Sequence, residues 1–115
     1  MSSTDHHPDY QELCDRAREL VREIDPLELH KLRGVMILDV RDRLEAAEGM
    51  LDGAMVVPRG ELEKLVGAMG IEPDRELVLY CQSGNRSVLA CRTLDLMGFH
   101  NTCSLRGGID AWREA

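Results

Sequence analysis

The run "LVLY" at residues 77–80 has an apolar side chain at every position and is followed at once by "CQSGNRS", residues 81–87. Successive side chains of a strand point to opposite faces, so a strand apolar at each position must be covered on both sides. That requirement points to a parallel sheet between two helical layers. The flanking segments agree with it. "GVMILDV" after Arg33 is a second continuous apolar run, "AMVVP" a third, stopped by Pro58, and "NTCSL" a fourth; segments of helical period lie between them. Alternating strands and helices predict an α/β fold, a three-layer arrangement with a central, mostly parallel sheet flanked by helices.

The helical segments have readable ends. From Tyr10 the apolar residues Leu13, Cys14, Ala17, Leu20, Val21 and Ile24 recur every three or four positions, predicting an N-terminal helix over 10–24 that is closed by Asp25-Pro26. "PLELHKL" reads as a short helical turn with His30 on its surface, and "RDRLEAAEGMLDG" as loop and irregular helix. "ELEKLVGAMG" puts Leu62, Leu65, Val66 and Met69 on one face and Gly70 at the stop. "SVLACRTLDLMGF" is apolar on most sides, as a helix pressed against a sheet must be, and "GGIDAWREA" gives a last short helix anchored by Trp112. Residues 1–9 are polar and read as a flexible terminus, with His6 and His7 solvated rather than metal-bound. The division is a terminus (1–9), an N-terminal helix (10–24) and one domain (25–115).

Composition narrows the function. The formal charge is −7, with 14 basic residues scattered among 21 acidic ones, which argues against a nucleic-acid or anionic-membrane surface. Any anion site must be local. No basic-then-apolar leader and no membrane-length apolar run is present, so a cytoplasmic address is the default expectation. The four cysteines, at 14, 81, 91 and 103, form no CxxC pair and have no histidine at zinc spacing, so free thiols and no metal are expected. Cys14, Cys91 and Cys103 fall in apolar stripes and read as packing.

Cys81 differs from them. It ends the most strand-like run, at the edge of the sheet where loops cross to helices and sites form. Gln82, Ser83, Gly84 and Asn85 let the backbone curl so that several amides converge, and a helix begins near Arg86 or Ser87. Convergent amides and a helix N-terminus make an anion cradle, which on a thiol favours the nucleophilic thiolate. Arg86 either adds positive charge or braces the loop. Two chemistries suit the pattern: attack on the phosphorus of a phosphate ester or on arsenate, and attack on a sulfane sulfur to give a persulfide. Only four residues separate Cys81 from Arg86, and so tight a ring suits one sulfur atom better than a tetrahedral oxyanion.

The pieces "ILDVRD", "GMLDGAMVVPRGELE", "LVLYCQSGNRSVLA", "LMGF" and "SLRGGIDAW", in this order, resemble a single-domain rhodanese, a sulfurtransferase module, from about Asp25 to the C-terminus. The resemblance implies a rhodanese-like fold with an extra N-terminal helix, a persulfide formed on Cys81, a cradle of residues 82–86 with Ser87 behind it, and Asp39 and Arg41 near the catalytic face. It implies no cofactor. The partners it implies are a small sulfur donor, thiosulfate or a persulfide, and a thiol, cyanide or protein acceptor. Arg59 and Glu61, flanking Gly60 after the second strand, read either as bordering the site entrance or as surface charges at a helix start. The family usually has an aromatic residue and then G-H-I-P-G-A; here Ala46, Met50 and Asp52 stand at the aromatic, histidine and proline positions. A non-catalytic binding module and a phosphatase or arsenate reductase are the rival readings. The N-terminal helix either caps a sheet edge or docks a partner.

Overall fold

The structure is a computed structural model and describes residues 8–115; the expectations for His6 and His7 lie outside the described residues. Five strands form one parallel sheet in the order β1-β5-β4-β2-β3: β1 Arg22–Ile24, β2 Met36–Asp39, β3 Met55–Val56, β4 Leu77–Tyr80 and β5 Thr102–Leu105. Six α-helices surround it: α1 Tyr10–Leu20, α2 Pro26–Lys31, α3 Arg43–Ala47, α4 Leu62–Ala68, α5 Asn85–Leu96 and α6 Gly108–Glu114. A 3-10 turn over Arg59–Glu61 leads into α4.

All four residues of β4 are fully buried, as its uniform apolarity requires. Its side chains alternate between two cores. Leu77 and Leu79 join Leu62 and Val66 of α4 and Ala90, Cys91 and Leu94 of α5; Val78 and Tyr80 join Leu29 of α2 and Ile109 of α6. Each of these buried aliphatic side chains contributes about 1.5–3 kcal/mol of apolar transfer energy, so the central strand is the mechanical axis of the fold. Trp112 of α6 stacks on exposed His30 of α2 with ring centroids 4.2 Å apart, fastening the two short helices together.

The N-terminal segment departs from the helix read over 10–24. The helix ends at Leu20, Val21 turns extended (φ −117°, ψ 157°), and residues 22–24 pair with Cys103, Ser104 and Leu105 as the sheet edge. Ile24 is the buried residue of this short strand, and the backbone partners offered by β5 decide against continuing the helix. Helix α1 packs Cys14 and Ala17 on Val88 of α5. Thus the segment both caps a sheet edge, with β1, and covers α5, with α1. No helix among the described residues is long and apolar enough to cross a membrane.

Candidate functional site

The site grows from the turn between β4 and α5. Gly84 caps α5 at φ +110°, a left-handed conformation open to glycine and strained for other residues. The turn aims the Gly84 N–H at Cys81 Sγ, 3.1 Å away. On the other side of the sulfur lies Ser87 Oγ at 3.5 Å, itself 2.7 Å from Ser104 Oγ of β5. The sulfur thus ends a fully buried strand in contact with a backbone donor and a hydroxyl, and the first-turn amides of α5 have no acceptor further back in the helix. Such an arrangement offers hydrogen-bond donors to the sulfur.

The loop holds this shape because its carbonyls are claimed from behind. The N–H groups of Ile109 and Asp110, at the start of α6, donate to Cys81 O and Gln82 O at 3.0 and 3.1 Å. Gly108, at φ +62°, lies so close that a Cβ would overlap the carbonyls of Gln82 and Cys81, and at Gly84 a Cβ would come 3.3 Å from Gly107 N. The paired glycines of "LRGGIDAW" are therefore the seat on which the Cys81 loop rests. With these two carbonyls held from behind, the loop keeps the Gly84 amide on the sulfur.

The other residues expected at the site divide by where their side chains go. Gln82 accepts from Arg41 Nη1 at 3.2 Å and donates to Asp110. Ser83 is exposed at the loop tip. Asn85 turns to α1, donating to Gln11 at 3.1 Å and accepting from Arg18 at 3.0 Å. Arg86 forms a two-pronged pair with Glu45 of α3, at 2.6 and 2.9 Å. This pair, rather than an open cation, is what the structure has beside the thiol. Its hydrogen bonds hold the Glu45 carboxyl down to about 2, against the cost of partial burial, and push the Arg86 guanidinium further up.

Asp39 and Arg41 are buried at the end of β2 as a closed ion pair. Asp39 accepts from Arg41 N and Nε at 3.0 Å, from Nη2 at 2.7 Å and from the Tyr80 hydroxyl at 2.8 Å; Arg41 donates onward to Gly49 O at 2.7 Å. Tyr80 accepts from Leu51 N at 3.1 Å, and burial pushes its hydroxyl up to about 12. Tyr80 is peptide-bonded directly to Cys81, and Arg41 reaches Gln82 of the loop, so these residues brace it. Arg59 is also committed elsewhere, to Glu63 at 3.2 Å and Thr93 Oγ1 of α5 at 2.9 Å, while Glu61 pairs with Arg43.

Four groups that sequence reasoning missed complete the site: Glu45, Ser104, and Gln11 and Arg18 of α1. Glu45 carried a signal in the capping box Asp42-x-x-Glu45, which fixes its carboxylate, and Ser104 in being a hydroxyl inside an apolar strand. Gln11 and Arg18 carried none, because their partner lies more than sixty residues away. The remaining thiols are free and buried. Burial pushes Cys91 up to about 12 and raises Cys14 and Cys103, which suits packing rather than reaction.

Residues 17–115 match the Rhodanese-like domain family. A sulfurtransferase of Allochromatium vinosum is 36% identical over 97 residues, covering 81% of this chain and 89% of its own. The thiosulfate sulfurtransferase GlpE of Shewanella oneidensis is 34% identical over 89 residues, covering 77% of this chain and 86% of its own. Among solved structures, a Rhodopseudomonas palustris protein described as of unknown function and a possible tyrosine phosphatase superimposes with TM-score 0.82 at 28% identity, over 99% of this chain and 95% of that one. The human single-domain sulfurtransferase TSTD1 gives TM-score 0.69 at 29% identity, over 80% and 95%. A match that runs from within α1 to the last residue, through every strand that carries the Cys81 loop and its braces, makes this chain a member of the rhodanese-like family.

Proposed function

We propose that this chain is a sulfurtransferase that carries sulfane sulfur as a persulfide on Cys81. The observation that carries the reading is the placement of Cys81 Sγ at the end of the central strand, 3.1 Å from the Gly84 amide, in a loop whose carbonyls are held away by α6. With thiosulfate as donor, the Cys81 thiolate attacks the outer sulfur, the S–S bond breaks, and sulfite leaves with the electron pair. The persulfide anion that remains sits among fixed dipoles that need no rearrangement as charge develops. Cyanide, a small thiol or a protein thiolate then attacks the outer sulfur and restores the thiolate. Every bond change uses the thiol and the two substrates alone, so the reading calls for no metal or organic cofactor. A cytoplasmic setting, where thiol pools keep cysteines reduced, suits four free thiols.

The test is intact-mass spectrometry of the protein before and after exposure to thiosulfate or an alkyl persulfide, with Cys81→Ser alongside. A gain of one sulfur, about 32 Da, on the unaltered protein alone and removed by cyanide supports the relay. The same gain on Cys81→Ser, or no gain with either donor, sinks it and leaves the binding-module reading. The phosphatase reading shares the cysteine cradle and is checked by hydrolysis of an aryl phosphate; the four-residue span from Cys81 to Arg86 weighs against it.

A further inference from the structure

Charge around Cys81 is organised in closed pairs. Arg86 gives both terminal nitrogens to both oxygens of Glu45, at 2.6 and 2.9 Å. The capping box holds that carboxylate from behind, Asp42 N donating to Glu45 Oε1 at 3.3 Å and Asp42 Oδ1 accepting from Glu45 N at 2.8 Å. The other two arginines that touch the loop are matched in the same way. Arg18 reaches Gly84 O and Asn85 while holding Glu23 and Asp15, and Arg41 reaches Gln82 while holding Asp39. The whole chain carries −7. A dianion approaching the sulfur therefore meets a negative molecule whose arginines at the loop are already neutralised.

Donors differ in the charge they bring. Attack of the Cys81 thiolate on thiosulfate gathers three negative charges and returns three, as the Cys81 persulfide anion and sulfite. Attack on an alkyl persulfide R–S–SH forms the bond from Cys81 to the outer sulfur, breaks the R–S to S bond and releases R–S⁻ with the pair. From the protonated donor one negative charge is present throughout, and even the ionised donor R–S–S⁻ brings one charge where thiosulfate brings two. The proton then passes from the more acidic Cys81 persulfide to the departing thiolate, leaving Cys81–S–S⁻ and R–SH, with no net oxidation. Resting on the sulfurtransferase reading above, we propose that the Glu45–Arg86 pair selects the donor: by neutralising the cation beside Cys81 it turns the site from the thiosulfate dianion toward the persulfide of a small alkyl thiol. Glu45 acts through Arg86 and is a positioning residue for specificity.

The experiment follows loading of Cys81 by quenched intact-mass spectrometry in the full chain, with thiosulfate and with cysteine persulfide, for the unaltered protein and Glu45→Gln. The glutamine keeps a hydrogen-bond acceptor for Arg86 and removes the charge. The ratio of the thiosulfate to the persulfide second-order rate constant is expected to rise about tenfold in Glu45→Gln, a gain that shrinks as salt screens the freed cation. A purely structural role would lower both rates and leave the ratio within about twofold, which would overturn the selection. A second measurement needs no variant. Raising salt from about 0.02 M to about 0.5 M is expected to speed thiosulfate loading of the unaltered protein, because like charges are being screened; a fall in rate would mean that an open cation draws the dianion in, and would overturn the proposal even if Glu45→Gln failed to fold. Loading by neither donor would sink the sulfurtransferase reading itself, whereas loading by both with an unchanged ratio sinks donor selection alone.

Discussion

The carboxyl ends of β2 and β4 lie side by side, Asp39 in register with Tyr80, and each carries a polar cluster at the end of a buried strand. At the end of β2 the cluster is closed. Asp39, Arg41, Tyr80 and the Leu51 amide bond one another, and Arg41 donates further to Gly49 O and to Gln82 of the neighbouring loop. At the end of β4, Cys81 Sγ has one backbone donor at 3.1 Å and a hydroxyl at 3.5 Å, and the turn that follows ends in the first turn of α5. Burial is equal at the two ends, with Asp39, Arg41 and Cys81 all 1% exposed or less. What separates the two strand ends is therefore how far their hydrogen bonds are closed among themselves, and not how deep the residues lie; the proposed sulfurtransferase reading rests on that difference.

The largest break in the comparison is expected from Cys81→Ser. Transfer should fall by about a thousandfold or more, with stability changed by no more than about 1 kcal/mol, because the serine keeps the donor contacts and loses the nucleophile. Thiocyanate formation and a urea melt on the same sample check both halves. The reverse pattern is expected at the other end: Asp39→Ala leaves the Arg41 charge buried and unpaired and should cost about 3–5 kcal/mol of stability by urea melt. A loss under about 1 kcal/mol would show that water reaches Arg41 and that this end is not closed.

Gly108→Ala should affect both properties at once. The added Cβ strikes the carbonyls that seat the Cys81 loop at a positive-φ position, for a cost of about 1–3 kcal/mol and slower persulfide formation. Unchanged activity would show that the loop keeps its shape without α6. Arg86→Ala should raise the thiosulfate KM by about tenfold, since Glu45 is then an unpaired anion near the sulfur, with a smaller effect on stability; an unaltered KM with an intact fold would remove Arg86 from the site.

The smallest effect is a dependence on pH. Glu45 is held at about 2 by Arg86, below the ordinary 4.5. A depressed carboxyl stabilises the fold above its unfolded value and loses that contribution as pH falls through its folded one. The stability gap between the unaltered protein and Glu45→Gln should be constant from pH 7 to about 5 and close steadily below about 4.5. A gap that does not depend on pH would mean that the pair contributes geometry and no charge.

Much of the site was legible in the sequence because it is local. Cys81, Gly84 and the helix that follows lie within a few residues, so the strand end, the glycine that permits a positive φ and the helix start are all visible in one short stretch, even though α6 completes the loop's shape. Arg86 was placed correctly on the loop, but its partner was not read, since Glu45 sits 41 residues earlier in a segment that looked irregular. The pairing of Asp39 and Arg41 was unread for a related reason. Their residue types and their position at a strand end suit the catalytic face, and the sequence alone did not show that Asp39 holds both Arg41 and, through the register of β2 against β4, the Tyr80 hydroxyl. Residues 22–24 show the same limit at the level of an element, where a helical apolar spacing is overridden by pairing with β5.

By itself the sequence determined a parallel sheet covered on both faces, a cysteine at the end of its central strand, and a glycine turn able to cradle a negative sulfur. Those features follow from period, from apolarity at every position and from φ preferences, which act between neighbours along the chain. The tertiary structure alone decided which arginines are neutralised, which glycine seats the loop, and that α1 touches the loop through Gln11 and Arg18. Side-chain pairing depends on distances between segments far apart in sequence, and packing fixes those distances only once the whole core has formed.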